Sequence, residues 1–210
     1  MKCYIFCSAD IASYDFLKDI DFEDSYVICA DGGYKHALKL GIMPDLWLGD
    51  GDSLSSDSGC GVIAKEIMNF PVRKDNTDTD LAIEVALKRG YKDIVILGGL
   101  GGRRDHEFSH FCLLKKILQH GGTGTLLDEK NEITMADKSF KLYPDNKKHI
   151  SFFPFGDVVE NFSVKGLRYE AENMTLKNGE VRASSNCFDG CDEAEISFSS
   201  GYVLIMRSDD

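Results

Sequence analysis

The 210-residue chain is short of positive charge, of tryptophan and of long apolar runs, and each shortage excludes something. Its 24 lysines and arginines stand against 35 aspartates and glutamates, a formal net charge of −11 at pH 7. A surface that acidic repels phosphate backbones and anionic lipid, which argues against nucleic-acid and membrane-surface partners. No apolar run approaches the roughly 18 residues of a membrane span. The opening Met1-Lys2-Cys3-Tyr4-Ile5-Phe6-Cys7 is too short, and too soon interrupted by Asp10, for a secretory signal. The seven cysteines lack the paired short spacings of a zinc site or a disulfide framework. They read as small buried hydrophobes in a reducing compartment, and the protein as cytoplasmic. Internal repeats and low-complexity segments are also missing. With 43% hydrophobic and 28% charged residues the chain is an ordinary globular one.

What is there divides near residue 128. Before it, apolar strand candidates alternate with helical patterns. The strands are Cys3–Ser8, Tyr26–Ala30, Leu46–Leu48, Asn69–Val72, Asp93–Leu97 and Thr125–Leu127. The helices are Gly33–Leu40, Gly61–Met68, Thr79–Arg89 and Asp105–Gln119. In the third, Asp80, Glu84 and Lys88 mark an outer face; in the fourth, Phe108, Phe111, Cys112, Leu114 and Leu118 point inward. Such alternation predicts an α/β fold, a mostly parallel sheet covered on both faces, over residues 1–128. From 129 to 210 short alternating segments follow one another, among them Val158–Val164, Val181–Ala183 and Tyr202–Met206, with turn signals between them. They predict an antiparallel β-sandwich or open barrel. The front half holds −7 of the −11.

The front half's aspartates fall just past predicted strand ends, where open α/β sheets bind ligands. Ala30-Asp31-Gly32-Gly33 joins a carboxylate to two glycines that permit a sharp turn and close backbone approach. In Gly49-Asp50-Gly51-Asp52-Ser53 the two aspartates share one face of an extended backbone, about 6–7 Å apart. Paired hard oxygen ligands of this kind suit Mg²⁺ that also carries substrate phosphates. An EF-hand is excluded, because Leu54 takes a ligand position. Lys74-Asp75-Asn76-Thr77-Asp78 offers an N-cap in Thr77 or Asp78 and a phosphate partner in Lys74. Gly98-Gly99-Leu100-Gly101-Gly102-Arg103-Arg104-Asp105-His106 is neither a dinucleotide fingerprint nor a Walker A loop. Its glycines permit close approach, while Arg103 or Arg104 grips phosphate.

His106-Glu107-Phe108-Ser109-His110 matches the H-E-x-x-H of zinc peptidases. The extended motif fails, since Leu113 and Lys116 occupy its further Gly and His positions. His110 reads instead as a hydrogen-bonded packing residue. A zinc hydrolase built on His106 and His110 and a non-enzymatic Mg–nucleotide sensor are the alternative functional classes.

Taken in order, these groups resemble the thiamine pyrophosphokinase family, also called thiamine diphosphokinase. The resemblance runs through Ala-Asp-Gly-Gly at 30–33, Gly-Asp-Gly-Asp-Ser at 49–53, Lys-Asp-Asn-Thr-Asp at 74–78 and Gly-Gly-Arg-Arg-Asp-His at 101–106. It continues in Gly166-Leu167-Arg168-Tyr169, Ser184-Ser185-Asn186 and Gly201-Tyr202-Val203-Leu204, and so spans nearly the whole chain. The chain departs from the family pattern at Gly51, usually aromatic, and at His110, usually Asn. The second half lacks Trp, so a stacking partner for thiamine is another residue, of which Phe188 is one candidate.

The resemblance implies an ATP-binding α/β domain, a β-sandwich domain and a homodimer with thiamine sites between subunits. It implies transfer of the terminal diphosphate of ATP to the hydroxyl of thiamine, with release of AMP. Asp31, Asp50, Asp52 and Asp78 are then the Mg²⁺ ligands. Asp50, Asp52, Asp78 and Lys74 are the catalytic set, with Lys74 and Arg103 neutralising phosphate charge. Gly32, Gly33, Asp75, Thr77, Asp105 and His106 complete the nucleotide site, and Asp105 fixes Arg103 or His106. Ser185 and Asn186 hydrogen-bond the pyrimidine, and the acidic surface attracts cationic thiamine.

Overall fold

Alternating short strands and helices in the first half lead to a parallel sheet, and the computed structural model, which describes residues 1–50, 61–71, 76–156 and 158–210, contains one. The chain divides into two compact units, Met1–Glu129 and Lys130–Asp210. In the first, the elements are β1 (Lys2–Phe6), β2 (Tyr26–Ala30), α1 (Tyr34–Leu40), β3 (Leu46–Gly49), β4 (Glu66–Asn69), α2 (Asp78–Lys88), β5 (Asp93–Leu97), α3 (Arg104–Gln119) and β6 (Thr123–Leu127). Its strands lie side by side in the order β4-β3-β2-β1-β5-β6, every neighbouring pair parallel. Cys3–Phe6, Val27–Ala30, Leu46–Leu48 and Ile94–Leu97 are buried without alternation, as strands covered on both faces require.

The first unit differs from the sequence reading in places. Of the strand expected over Asn69–Val72 only Asn69 is in a strand; Phe70 and Pro71 are not, and Val72 lies outside the described residues. Gly61–Met68 is not helical; Glu66–Asn69 forms the edge strand β4, and its alternating exposure fits a period of two. On α3 the buried stripe is His110, Leu113, Leu114 and Ile117, so Phe108 (63% exposed) and Cys112 face outward. The positions i, i+3, i+4 and i+7 from His110 define the inward face, and 108 and 112 fall outside it.

The second unit contains β7 (Asn131–Ala136), β8 (Phe140–Leu142), β9 (His149–Pro154), β10 (Val158–Lys165), β11 (Ala171–Lys177), β12 (Ala194–Ser197) and β13 (Val203–Ser208). There β13 pairs antiparallel with β7 and β9, and a second antiparallel sheet runs β11-β10-β12-β8. One core joins the two sheets: Ile150, Phe152, Val203 and Ile205 meet Val159, Phe162, Val164 and Ile196. Each such large apolar side chain contributes about 1.5–3 kcal/mol by leaving water. Val181–Ala183 is not a strand; Val181 is 70% exposed and so has no apolar face to pair.

Candidate active site

The middle strand of the first unit, β1, has β2 on one side and β5 on the other. The chain runs outward through β2, β3 and β4, then crosses back to β5. Loops leaving β1 and β5 therefore diverge, which opens a crevice at the carboxyl ends of the strands. A cavity of about 610 Å³ lies there. Ser8, Ala9 and Asp10 line it after β1, Asp31 after β2 and Asp50 after β3. Thr77, Asp78 and Thr79 enter at the start of α2, Gly98 to Arg103 (Leu100 apart) between β5 and α3, and His106, Glu107 and His110 from α3.

The structure thus brings Asp31, Asp50, Thr77, Asp78, Arg103 and His106 to one cavity, from loops up to seventy-odd residues apart. Asp52, Lys74 and Asp75 lie outside the described residues. Gly33 serves packing: a Cβ there would sit 2.0 Å from the Phe6 carbonyl oxygen, so its bareness lets this turn press against β1. Gly32 shares that turn, the 3₁₀ segment Asp31–Gly33, and neither glycine lines the cavity. Asp105 points to Arg103 and holds it at 2.6 Å, while also accepting the His106 amide at 3.0 Å. That guanidinium keeps the Asp105 carboxyl below its usual range.

Asp31 takes a left-handed backbone conformation, φ 47°, which costs a non-glycine residue about 1 kcal/mol. The indole of Trp47 donates to the Asp31 carbonyl at 3.1 Å and holds it there. Thr77 caps α2 by accepting the Asp80 amide, which fixes Asp78 in the first turn. Asp80 and Glu84 do not face only solvent as their spacing suggested. Lys116 of α3 donates to both, at 2.8 Å to Glu84, and Asn76 donates to Asp80 at 2.8 Å. The ammonium of Lys116 holds the Glu84 carboxyl below its usual range.

Among the lining residues that escaped the sequence reading are Ser8, Asp10, Lys35 and Thr79. Lys35 on α1 donates to Asp10 at 2.6 Å, and both line the cavity. Its only sequence signal is a place on the first turn after the Asp-Gly-Gly group. The carboxylates of Asp31, Asp50 and Asp78 are hard oxygen donors on separate loops around one cavity, a set that fits Mg²⁺ arriving on phosphate oxygens. Among the described residues no three His, Cys, Asp or Glu side chains form a ready cage for a metal.

Both ring nitrogens of His110 are engaged, Nδ1 with the Gly99 carbonyl at 2.7 Å and Nε2 with Thr79 Oγ1 at 3.3 Å. The ring is buried, His106 is exposed, and the pair cannot act as the H-E-x-x-H zinc ligands. His110 is the hydrogen-bonded packing residue the sequence suggested.

In the second unit, Asn186 is buried, and its side chain grips the Tyr169 main chain in both directions, accepting at 3.0 Å and donating at 2.8 Å. The carboxamide therefore shapes the Gly166–Tyr169 turn. Ser185, exposed, has φ 56°, and its amide donates to Ser151 Oγ at 2.9 Å. Phe188 is half-buried against the core of this unit.

The chain is similar to known proteins along most of its length. The family model for the thiamin pyrophosphokinase catalytic domain matches residues 18–125, and that for the thiamin pyrophosphokinase vitamin B1 binding domain matches 138–203. Thiamine pyrophosphokinase of Bacillus subtilis is 30% identical over 192 residues, covering 90% of this chain and 89% of its own. A crystal structure of thiamine pyrophosphokinase from Bacillus subtilis superposes with a TM-score of 0.88 at 27% identity, covering all of both chains. The Geobacillus thermodenitrificans thiamin pyrophosphokinase structure shares the fold, with a TM-score of 0.84 at 24% identity over 100% of this chain and 98% of its own. With both domain models in sequence and a relative matched nearly end to end, the chain belongs to the thiamine pyrophosphokinase family.

Proposed function

We propose that the cavity at the switch point seats ATP with Mg²⁺ on its phosphates, and that Asp31, Asp50, Asp52 and Asp78 hold the ion. The chain transfers a diphosphate group from ATP to the hydroxyl of thiamine, giving thiamine diphosphate and AMP. One observation supports the site reading above all: the carboxylates of Asp31, Asp50 and Asp78 and the cations of Arg103 and Lys35, from separate segments of the chain, line a single cavity beside bare glycine backbone. Carboxylates gathered around one cavity repel one another, and a divalent cation between them relieves that repulsion.

When bound, Mg²⁺ spreads positive charge over the phosphate oxygens. The chain's own part is to position and to neutralise. Arg103, steadied by Asp105, and Lys74 draw the phosphate tail toward the glycine loop, where backbone amides approach it closely. The thiamine hydroxyl oxygen then meets the β-phosphorus in line with the departing AMP oxygen. A bond forms from hydroxyl oxygen to phosphorus, the bond from phosphorus to the AMP oxygen breaks, and AMP leaves with that electron pair. The hydroxyl proton passes to a carboxylate not holding the ion.

The finer assignments belong to the same proposal. Residues 1–128 bind ATP and Mg²⁺, while 129–210 carry thiamine recognition, through Ser185 and Asn186, and the contact of a homodimer with thiamine between subunits. The protein acts in the cytoplasm, in keeping with the six free cysteines among the described residues. No described helix is long and apolar enough to cross a membrane.

The test is an AMP-formation assay with and without thiamine, with magnesium or with a chelator. Thiamine-dependent, magnesium-dependent AMP is expected. ATP binding without AMP would point to a nucleotide sensor, and stoichiometric zinc after purification to a hydrolase.

A further inference from the structure

We infer that His110 is a positioning residue for diphosphate transfer: its side chain is the centre of a hydrogen-bond series that joins four segments around the cavity, and it fixes the Gly98–Arg103 loop on which the phosphates rest. This inference rests on the nucleotide site proposed above.

The links can be ordered by their protons. The Gly99 carbonyl can only accept, so the 2.7 Å contact places the proton of His110 on Nδ1. Burial pushes the ring's pKa down and keeps it neutral, so Nε2 is an acceptor and takes the Thr79 hydroxyl proton at 3.3 Å. Having spent its proton there, the Thr79 oxygen accepts from the Cys7 thiol at 3.2 Å. Burial pushes the Cys7 thiol up to about 12, so its proton is present. The result is one unbroken, directional series: Cys7 to Thr79 to His110 to Gly99.

Each member sits on a different wall of the cavity. Cys7 follows β1, Thr79 lies beside Asp78 in the first turn of α2, Gly99 follows β5, and His110 belongs to the second turn of α3. All four line the cavity, and Cys7, Thr79 and His110 are buried. The glycine at 99 leaves no room for looseness, because a Cβ there would stand 3.2 Å from His110 Nδ1 and 3.0 Å from Leu126. With no side chain on Gly99 to anchor the loop, the imidazole supplies the anchor through the backbone carbonyl. Leaving that buried carbonyl unmet would let the loop settle in other positions.

The test compares His110→Leu, which fills the space without hydrogen bonds, with His110→Asn, whose Nδ2 can stand where the imidazole Nδ1–H stands. In the full chain, His110→Leu should raise the KM for ATP by about tenfold, leaving the KM for thiamine within about twofold. His110→Asn should return the KM for ATP to within about threefold of the parent. An unchanged KM for ATP in His110→Leu, or equal impairment in both variants, overturns the inference. The parent's own turnover separates the two layers. Absence of thiamine-dependent AMP from the parent overturns the underlying reading and this inference with it, whereas a fully active His110→Leu overturns the inference alone. Should His110→Leu fail to fold, nitrogen-15 NMR of the parent decides. A neutral ring protonated on Nδ1 at pH 7 is expected, and protonation on Nε2 overturns the proposed order.

Discussion

His36 donates from Nε2 to the carbonyl of Ala9 at 2.9 Å, and so pins the loop after β1 from behind the cavity. Its Nδ1 in turn accepts the Tyr14 hydroxyl at 2.6 Å. Like His110, it is a fully buried neutral ring clamping a backbone carbonyl beside the site. The two clamped loops meet where the Ala9 amide donates to Gly98 at 3.1 Å.

Burial lowers the pKa of both histidines below the ordinary value of about 6.5. On acidification the unfolded chain therefore takes up protons before the native one. Their stabilising contribution is complete above about pH 6.5 and is lost as the pH falls toward and through the lowered native values. Thermal melts should show a lower Tm at pH 5 than at pH 7, above the range in which carboxylates titrate. A Tm flat across that interval would contradict the assignment.

Gly33→Ala should be among the most damaging single substitutions in the first unit. The new Cβ would lie 2.0 Å from a main-chain oxygen of β1, and backbone cannot yield as a flexible side chain can. A loss of about 3 kcal/mol or more is expected from denaturant unfolding. Gly61→Ala, with no atom within 4 Å of its Cβ, should be nearly neutral and serves as the control.

Asp50→Asn and Asp78→Asn remove charge from the cavity without changing volume. Each should lower turnover by about a hundredfold or more, with the melting temperature held. Near-normal rates in either variant would remove that residue from the metal set.

Thiol labelling at pH 8 should separate the cysteines. Cys112 and Cys191 are exposed and should react within minutes; Cys3, Cys7 and Cys29 are buried and should not until the protein unfolds. Burial also pushes the Cys3 and Cys7 thiols up to about 12, away from the reactive thiolate. Rapid labelling of five or more described thiols in the native protein would contradict this burial.

Much of this was legible in the residues. Tyr26–Ala30 and Asp93–Leu97 are strands over those very spans, because unbroken β-branched and apolar runs between turn signals leave little choice. The Asp-bearing loops were found at strand ends for the same reason. Other features depend on crossing connections that local pattern does not record. Ser8, Asp10 and Lys35 join the site only because β5 returns to lie beside β1. Edge strand β4 falls in a span that reads as helix, because a strand of only four residues is too short for its period of two to stand out in the sequence. Cys112 was placed in the core by the company it keeps in sequence, although helical geometry turns it outward. His110 was recognised as a packing residue, but its reach to Thr79 and Gly99 needed three dimensions.

The lone tryptophan carries a practical consequence. Trp47 is 2% exposed, and its indole N–H is bonded to the main chain of Asp31, which lines the cavity. The protein thus has a single tryptophan, the fluorophore that can be excited selectively above the tyrosine band, bonded to the turn that carries Asp31. A change in its emission on adding nucleotide reports local rearrangement at Asp31 without any attached dye.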